Sequence, residues 1–156
     1  MLRRRRGKAK VIFVLLIVFI AMVWLFIQAF FLSPGDQALK VVDEFYKYEQ
    51  EGKFADSWEM FHPYMKERLE KGYYIQDRAH VFMNHFGVET FSYTFGEPEE
   101  LKKWKPADDG PELSMVYKVP VVQVYKGKYG NFSLQQEVFV VQEKEEWFVL
   151  WDYQQQ

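Results

Sequence analysis

The sequence predicts a membrane helix followed by an α+β domain, on three observations. From Val11 to Leu32 the chain is apolar, with Gln28 as its only strongly polar side chain. From Pro34 to Phe86 apolar residues recur at helical spacing, and beyond Gly87 the period changes to two. Three or four helices therefore precede a curved antiparallel sheet of about four strands, a plan in which segregated helices pack on one sheet face.

The apolar stretch reads as a transmembrane helix. At about 1.5 Å of rise per residue, 22 residues reach roughly 33 Å, enough for a hydrocarbon core of about 30 Å. Six cationic residues precede it (Arg3, Arg4, Arg5, Arg6, Lys8, Lys10), and the first charges beyond it are acidic: Asp36, then Asp43 and Glu44 after Lys40. The positive-inside rule then makes residues 1–10 a cytoplasmic tail, 11–32 a single-pass signal anchor and 33–156 an extracytoplasmic domain. A cleaved signal peptide is the rival. Its apolar region usually runs about 7 to 15 residues with small residues before the cut, whereas the candidate site here has Ile27.

Charge narrows the partner. Of 20 Lys and Arg, six lie in the tail, so 14 accompany all 22 acidic residues beyond the anchor and leave that part at −8. A surface of that sign disfavours nucleic acid, whose phosphates need cations. The Arg3 to Arg6 run fits topology and anionic lipid better than a nucleic-acid patch, because it directly abuts the span. With no cysteine, disulfides, thiolate metal sites and a lipid-modified Cys are all excluded. An exported domain without disulfides points to a bacterial cell envelope, with a Gram-positive one expected. Hydrophobic and aromatic contents of 49% and 19% rule against disorder.

Ser33-Pro34-Gly35-Asp36 opens the first helix, with Ser33 as N-cap, Pro34 at the first helical position and Asp36 at the positive helix end. Two adjacent stripes, Ala38/Val41/Phe45/Tyr48 and Leu39/Val42/Tyr46, make its apolar face broad, and Gly52 ends it. A short second helix presents Phe54, Trp58 and Phe61, and Pro63 opens a further turn or two that stops at Gly72. The next helix covers Ile75 to Phe86, with Ile75, Ala79, Phe82 and Phe86 on one face. A strand from Val88 to Phe95 follows, and then a long loop from Gly96 to Pro111. Leu113 to Tyr125 is a long strand, and Pro120 predicts a bulge or bend within it. A hairpin over Lys126 to Asn131 leads to strands Phe132–Glu143 and Glu146–Tyr153.

This succession of elements resembles the NTF2-like superfamily. Glu51-Gly52-Lys53-Phe54-Ala55-Asp56-Ser57-Trp58 looks like that family's helix-turn-helix junction, where Gly ends the first helix and an aromatic residue closes a cone. Trp147 to Asp152 is similar to the last strand of the NTF2-like domains found in some penicillin-binding transpeptidases. Membrane-anchored domains of this kind also occur in VirB8-like secretion components, where they are assembly modules. The resemblance implies a helix-and-sheet cone, and the chain's ending after the last strand implies the module without an attached catalytic domain.

Some members of the superfamily are enzymes that use an Asp, His or Tyr inside the cone, so the candidates here need placing. Tyr46, Trp58, His85, Tyr117 and Trp151 are the possible pocket lining, although aromatic stripes at these spacings usually form plain core. His80 points away from the Ile75 stripe and His85 lies at its edge; five residues apart, they do not suit a helical metal pair. His62, before Pro63, is expected to be structural or on the surface. Asp152 becomes a general-base candidate only if its side chain turns into the cone. The chain has no nucleophile elbow, phosphate-binding Gly loop or paired carboxylates, so no catalytic residue, metal or cofactor is assigned.

Both faces of the last strands are apolar: Trp147/Val149/Trp151 on one side and Phe148/Leu150 on the other. An antiparallel sheet covered by helices on one face normally shows water the other. Phe148 and Leu150 are therefore the expected interface. The sequence reads as a non-catalytic, membrane-anchored interaction or assembly module, whose partner is an envelope protein or a second copy. The alternative is a small-ligand-binding or weakly enzymatic cone.

Overall fold

The computed structural model describes residues 13–24, 32–81, 87–88 and 90–154. Two compact units divide at Ser33 and Pro34.

In the first unit, residues 13–24 form helix α1, and every one of their side chains is exposed. Among the described residues no helix is long and apolar enough to cross a membrane. Residues 11–12 and 25–31 of the predicted anchor lie outside the described residues.

The second unit is an α+β domain. Its helices are α2 (Pro34–Gln50), α3 (Phe54–Glu59), α4 (Pro63–Arg68) and α5 (Lys71–Ala79). Its strands are β1 (Phe91–Phe95), β2 (Glu99–Trp104), β3 (Leu113–Gly127), β4 (Gly130–Glu143) and β5 (Glu146–Leu150). They form one antiparallel sheet in the order β1-β3-β4-β5, with β2 also pairing β3.

Helix α2 buries Ala38, Val42, Phe45, Tyr46 and Glu49, which recur at helical spacing. It ends in a Schellman motif: Lys53 N–H donates to Tyr48 O at 2.8 Å and Gly52 N–H to Glu49 O at 3.2 Å. Gly52 has φ +71°, the conformation this cap needs.

After α3 the chain runs along the sheet edge. Phe61 pairs in parallel with Val149, as His62 N–H donates to Val149 O at 3.0 Å and Val149 N–H to Met60 O at 2.9 Å. His62 then caps α4, its Nδ1 accepting Tyr64 N–H at 3.1 Å.

Gly72 does not stop α4, as the sequence reading expected; it lies in the first turn of α5, which starts four residues before Ile75. The break comes at Leu69, whose extended backbone (φ −117°, ψ 86°) turns its carbonyl to Trp58 Nε1 at 2.7 Å. The buried residue of α5 is Tyr74, and Ile75 and Ala79 are only half-buried. Phe82 and Phe86 lie outside the described residues.

The expected loop from Gly96 to Pro111 contains strand β2. Its sequence, EELKKW, has only Leu101 and Trp104 as apolar residues, three apart, so no alternation marks it. Pairing with β3 creates it, from Glu99 opposite Lys118 to Trp104 opposite Leu113. No bulge forms in β3 at Pro120: the β3–β4 register runs unbroken from Tyr117 opposite Val140 to Gly127 opposite Gly130. What changes at Pro120 is the partner on the other edge, β1 on one side of it and β2 on the other.

The sheet buries side chains on both faces, on the second only toward its β2 and β5 end. Tyr117, Val119, Val121, Tyr125, Val138, Val140 and Val149 are buried on the face toward α2. On the opposite face Val116, Phe139, Val141 and Leu150 are buried as well. Trp104 stacks flat on Phe139 with ring centroids 4.2 Å apart, and His62 meets Phe148 edge-on at 5.7 Å. At that end the chain's own residues close the apolar second face, whereas Pro120, Val124, Gln135 and Glu137 on the same face stay exposed.

Candidate functional site

The space between the helices and the sheet is filled with aromatic rings. Phe45 packs on Tyr46, Phe61 and Trp151, and Phe61 packs on Tyr74 and Trp151, with centroids 4.9 to 6.4 Å apart. Edge-on contacts of this kind add to the gain from burial.

One polar cluster interrupts that core. Glu49 is 3% exposed. Its Oε1 accepts Ser57 Oγ–H at 2.5 Å and Tyr74 O–H at 2.6 Å, and its Oε2 accepts Arg78 Nε–H at 2.6 Å and a contact from Arg78 Nη2. Helices α2, α3 and α5 are thereby tied through one carboxylate. Burial opposes the charge on Arg78, but Glu49 and Tyr74 outweigh it and raise its affinity for the proton. Burial and the adjacent Glu49 charge push the Tyr74 hydroxyl well up, so it stays a donor. The pair is charged, hydrogen-bonded and mutually compensated, the condition under which an interior tolerates ions.

A recess of about 100 Å³ opens beside the cluster, lined by Glu49, Gln50, Phe54, Arg78, Phe91 and Tyr125 among others. Small-molecule sites generally need about 300 to 1,000 Å³. It is large enough for a few waters. Among the described residues no group of three or more His, Asp or Glu is placed to hold a metal ion.

Among the described residues, the predicted pocket residues Tyr46, Trp58, Tyr117 and Trp151 lie in different surroundings. Tyr46 is 1% exposed and its hydroxyl donates to Gln136 Oε1 at 3.2 Å. Trp58 lies half-buried on the outside of α3, with Lys66 and Lys71 ammoniums 5.0 and 5.2 Å from its ring centroid. Tyr117 packs against Trp147, at 6.2 Å, at the other end of the sheet face. Trp151 is in the aromatic core, where its Nε1 is buried without a partner. His85 lies outside the described residues. Asp152 is exposed and accepts Gln154 N–H at 2.8 Å, so it does not turn into the cone. His80 is exposed too, whereas His62 is buried, with Nε2 lying 3.4 Å from Glu143 Oε2. Of the expected interface residues, Leu150 is fully buried and Phe148 half-buried.

The cluster was missed although its signal was present. Ala38, Val42, Phe45 and Glu49 stand at i, i+4, i+7 and i+11, which puts an acid on a buried stripe. A carboxylate there demands donors, and Tyr74 and Arg78, four apart on α5, supply them. No protein-family profile matches the chain, and the search of curated proteins finds no relative.

Proposed function

We infer that this protein is a membrane-anchored, extracytoplasmic module of NTF2-like type whose work is to bind other proteins in a bacterial cell envelope, without catalysis of its own. The observation that carries this reading is the filled interior. Phe45, Tyr46, Phe61, Tyr74 and Trp151 occupy the place where a ligand-binding cone would be hollow, and the recess beside Glu49 is about 100 Å³. The Glu49–Arg78 pair beside that recess is already saturated by its neighbours. An apolar run from Val11 to Leu32 behind six cations supports the anchor and its direction.

Because the chain has no cysteine, a single Gln135→Cys substitution at an exposed position makes it a topology probe. Intact expressing cells treated with a membrane-impermeant maleimide should label the full-length chain, which should then stay with the membrane through alkaline carbonate washing. Labelling only after lysis, or release by the wash, overturns the localisation and with it the envelope role.

A further inference from the structure

Along the β5 edge runs an open groove of about 550 Å³ between β5 and helices α2 and α3. Its floor holds the half-buried Met60, Trp147 and Phe148, and its rim the exposed Glu44, Asp56 and Glu146. Those three carboxylates form no ion pair among the described residues, and no Lys or Arg lines the groove. Glu59, also on the rim, is already held by Lys66 at 3.2 Å and Lys71 at 2.5 Å. Apolar surface beneath unpaired acids calls for a partner that brings both cations and apolar side chains.

The opposite edge of the same sheet offers such a surface. Strand β2 and the residue after it present Lys102, Lys103 and Lys105, all exposed, around the half-buried Leu101 and Trp104, along a shallow hollow that also takes in the exposed Asp108. Lys103 and Lys105 form no ion pair among the described residues, and Lys102 has only a distant one, 3.7 Å to Glu100. Lysines on an edge strand ordinarily guard it against backbone pairing. Here the β5 edge is closed to backbone pairing as well, because Phe61 occupies it. A join between these edges must therefore be made by side chains. The groove and the lysine-bearing β2 edge stand three strand spacings apart, about 14 Å, on opposite edges of the sheet, so one chain cannot satisfy itself.

We propose that the groove faces the lysine-bearing β2 edge of a second copy of this chain, so that copies join head to tail, β2 edge to β5 edge. This rests on the assembly reading above and names its partner. Such an interface is heterologous: each copy keeps one free groove and one free lysine edge, and the product is a ring or a row rather than a closed pair. Confinement of the copies to one membrane raises their effective concentration and lowers the affinity each contact must supply.

The test is zero-length carbodiimide coupling of the full-length chain in membranes from expressing cells, which joins a carboxylate to an amine only where they touch. Wild type should give a ladder of covalent dimers and larger species, with linked peptides pairing Glu44, Asp56 or Glu146 to Lys102, Lys103 or Lys105. Raising the salt to about 0.5 M should weaken it, since exposed charges are then screened. The groove reversal Glu44→Lys/Glu146→Lys and the β2-edge reversal Lys102→Glu/Lys103→Glu/Lys105→Glu should each cut the ladder on the order of tenfold. Co-expressed, they should restore it, because each supplies what the other lacks. All five positions are exposed, and an unchanged melting temperature certifies the fold. A ladder that survives both reversals, or links that map elsewhere, overturns the proposal. If wild type gives no ladder, native electrophoresis separates the cases. Migration in a complex with another protein sinks the self-docking and leaves the assembly role standing, whereas migration as a monomer sinks both.

Discussion

The amide of Gly96 donates to the carbonyl of Pro120 at 2.8 Å, and Pro120 has no N–H with which to answer. In an antiparallel ladder the two residues of a hydrogen-bonded pair exchange both bonds. The half-made exchange marks where β3 changes partner, since β1 ends at Phe95 opposite Val121 and β2 begins at Glu99 opposite Lys118.

A Cβ on Gly96 would meet Pro120 Cγ at 3.1 Å and Cβ at 3.2 Å. Gly96→Ala should therefore cost about 1 kcal/mol of stability by overpacking. Pro120→Ala removes the obstructing ring, so chemical denaturation of the double variant should show less than the sum of the two single effects. Strict additivity would mean that the contact is not what constrains residue 96.

Removing Glu49 takes from the mostly buried Arg78 the carboxylate that balances its charge. Glu49→Ala should cost about 3 to 5 kcal/mol, while Glu49→Leu combined with Arg78→Leu should cost much less, because both charges then go. Urea unfolding of the four species closes the cycle. Equal losses in the single and double variants would make the pair net stabilising rather than merely compensated.

Alkali should expose the buried tyrosines in a defined order of sign. Burial raises the hydroxyls of Tyr46, Tyr74 and Tyr125, and burial with the neighbouring Asp43 pushes Tyr93 up to about 12. A raised folded-state value means that the associated stability is complete below the ordinary tyrosine value of 10.0 and is lost as pH climbs toward the folded values. For Tyr46 and Tyr74 the loss is about 1.4 kcal/mol per pH unit each. Tyrosinate absorbance should accordingly show the buried tyrosines ionising only as the fold opens. A single smooth titration of all tyrosines with the fold intact would contradict the burial.

His62 holds the start of α4 through Nδ1, which accepts the Tyr64 amide. His62→Ala should lose about 1 to 2 kcal/mol, whereas His62→Asn, a good cap residue, should recover part of that in thermal unfolding. No recovery would assign the cost to the lost contact with Phe148 instead.

The β4–β5 turn places Lys144 and Glu145 at φ 49° and 70°, a left-handed pair that costs non-glycine residues about 1 to 2 kcal/mol each. Substituting Asn-Gly, the preferred pair for such a turn, should raise stability by about 1 kcal/mol. A lower melting temperature would show that the two native side chains contribute something the turn geometry does not reveal.

Local pattern carried much of the fold. The α2 stripe, the Gly52 stop, the long β3 and the glycine-flanked hairpin all rest on interactions within a few residues, which spacing records directly. The acid on the α2 stripe was legible in the same way, as Glu49 in register with Phe45. Where partners lie far along the chain, spacing is silent. Strand β2 has no alternation because its pairing with β3 defines it, and Gly72 reads as a stop until Leu69 is drawn to Trp58.

The alternating apolar faces of β4 and β5 were plain in the residues, yet what covers the second face was not. Trp104 covers Phe139 from 35 positions before it and His62 meets Phe148 from 86 positions before it, and buried area counts the same whichever segment supplies it. Composition and period say that a surface must leave water. Only the folded chain decides which of its own residues take it out, and in this domain they close the β5 end of that face while Pro120 and Val124 stay exposed.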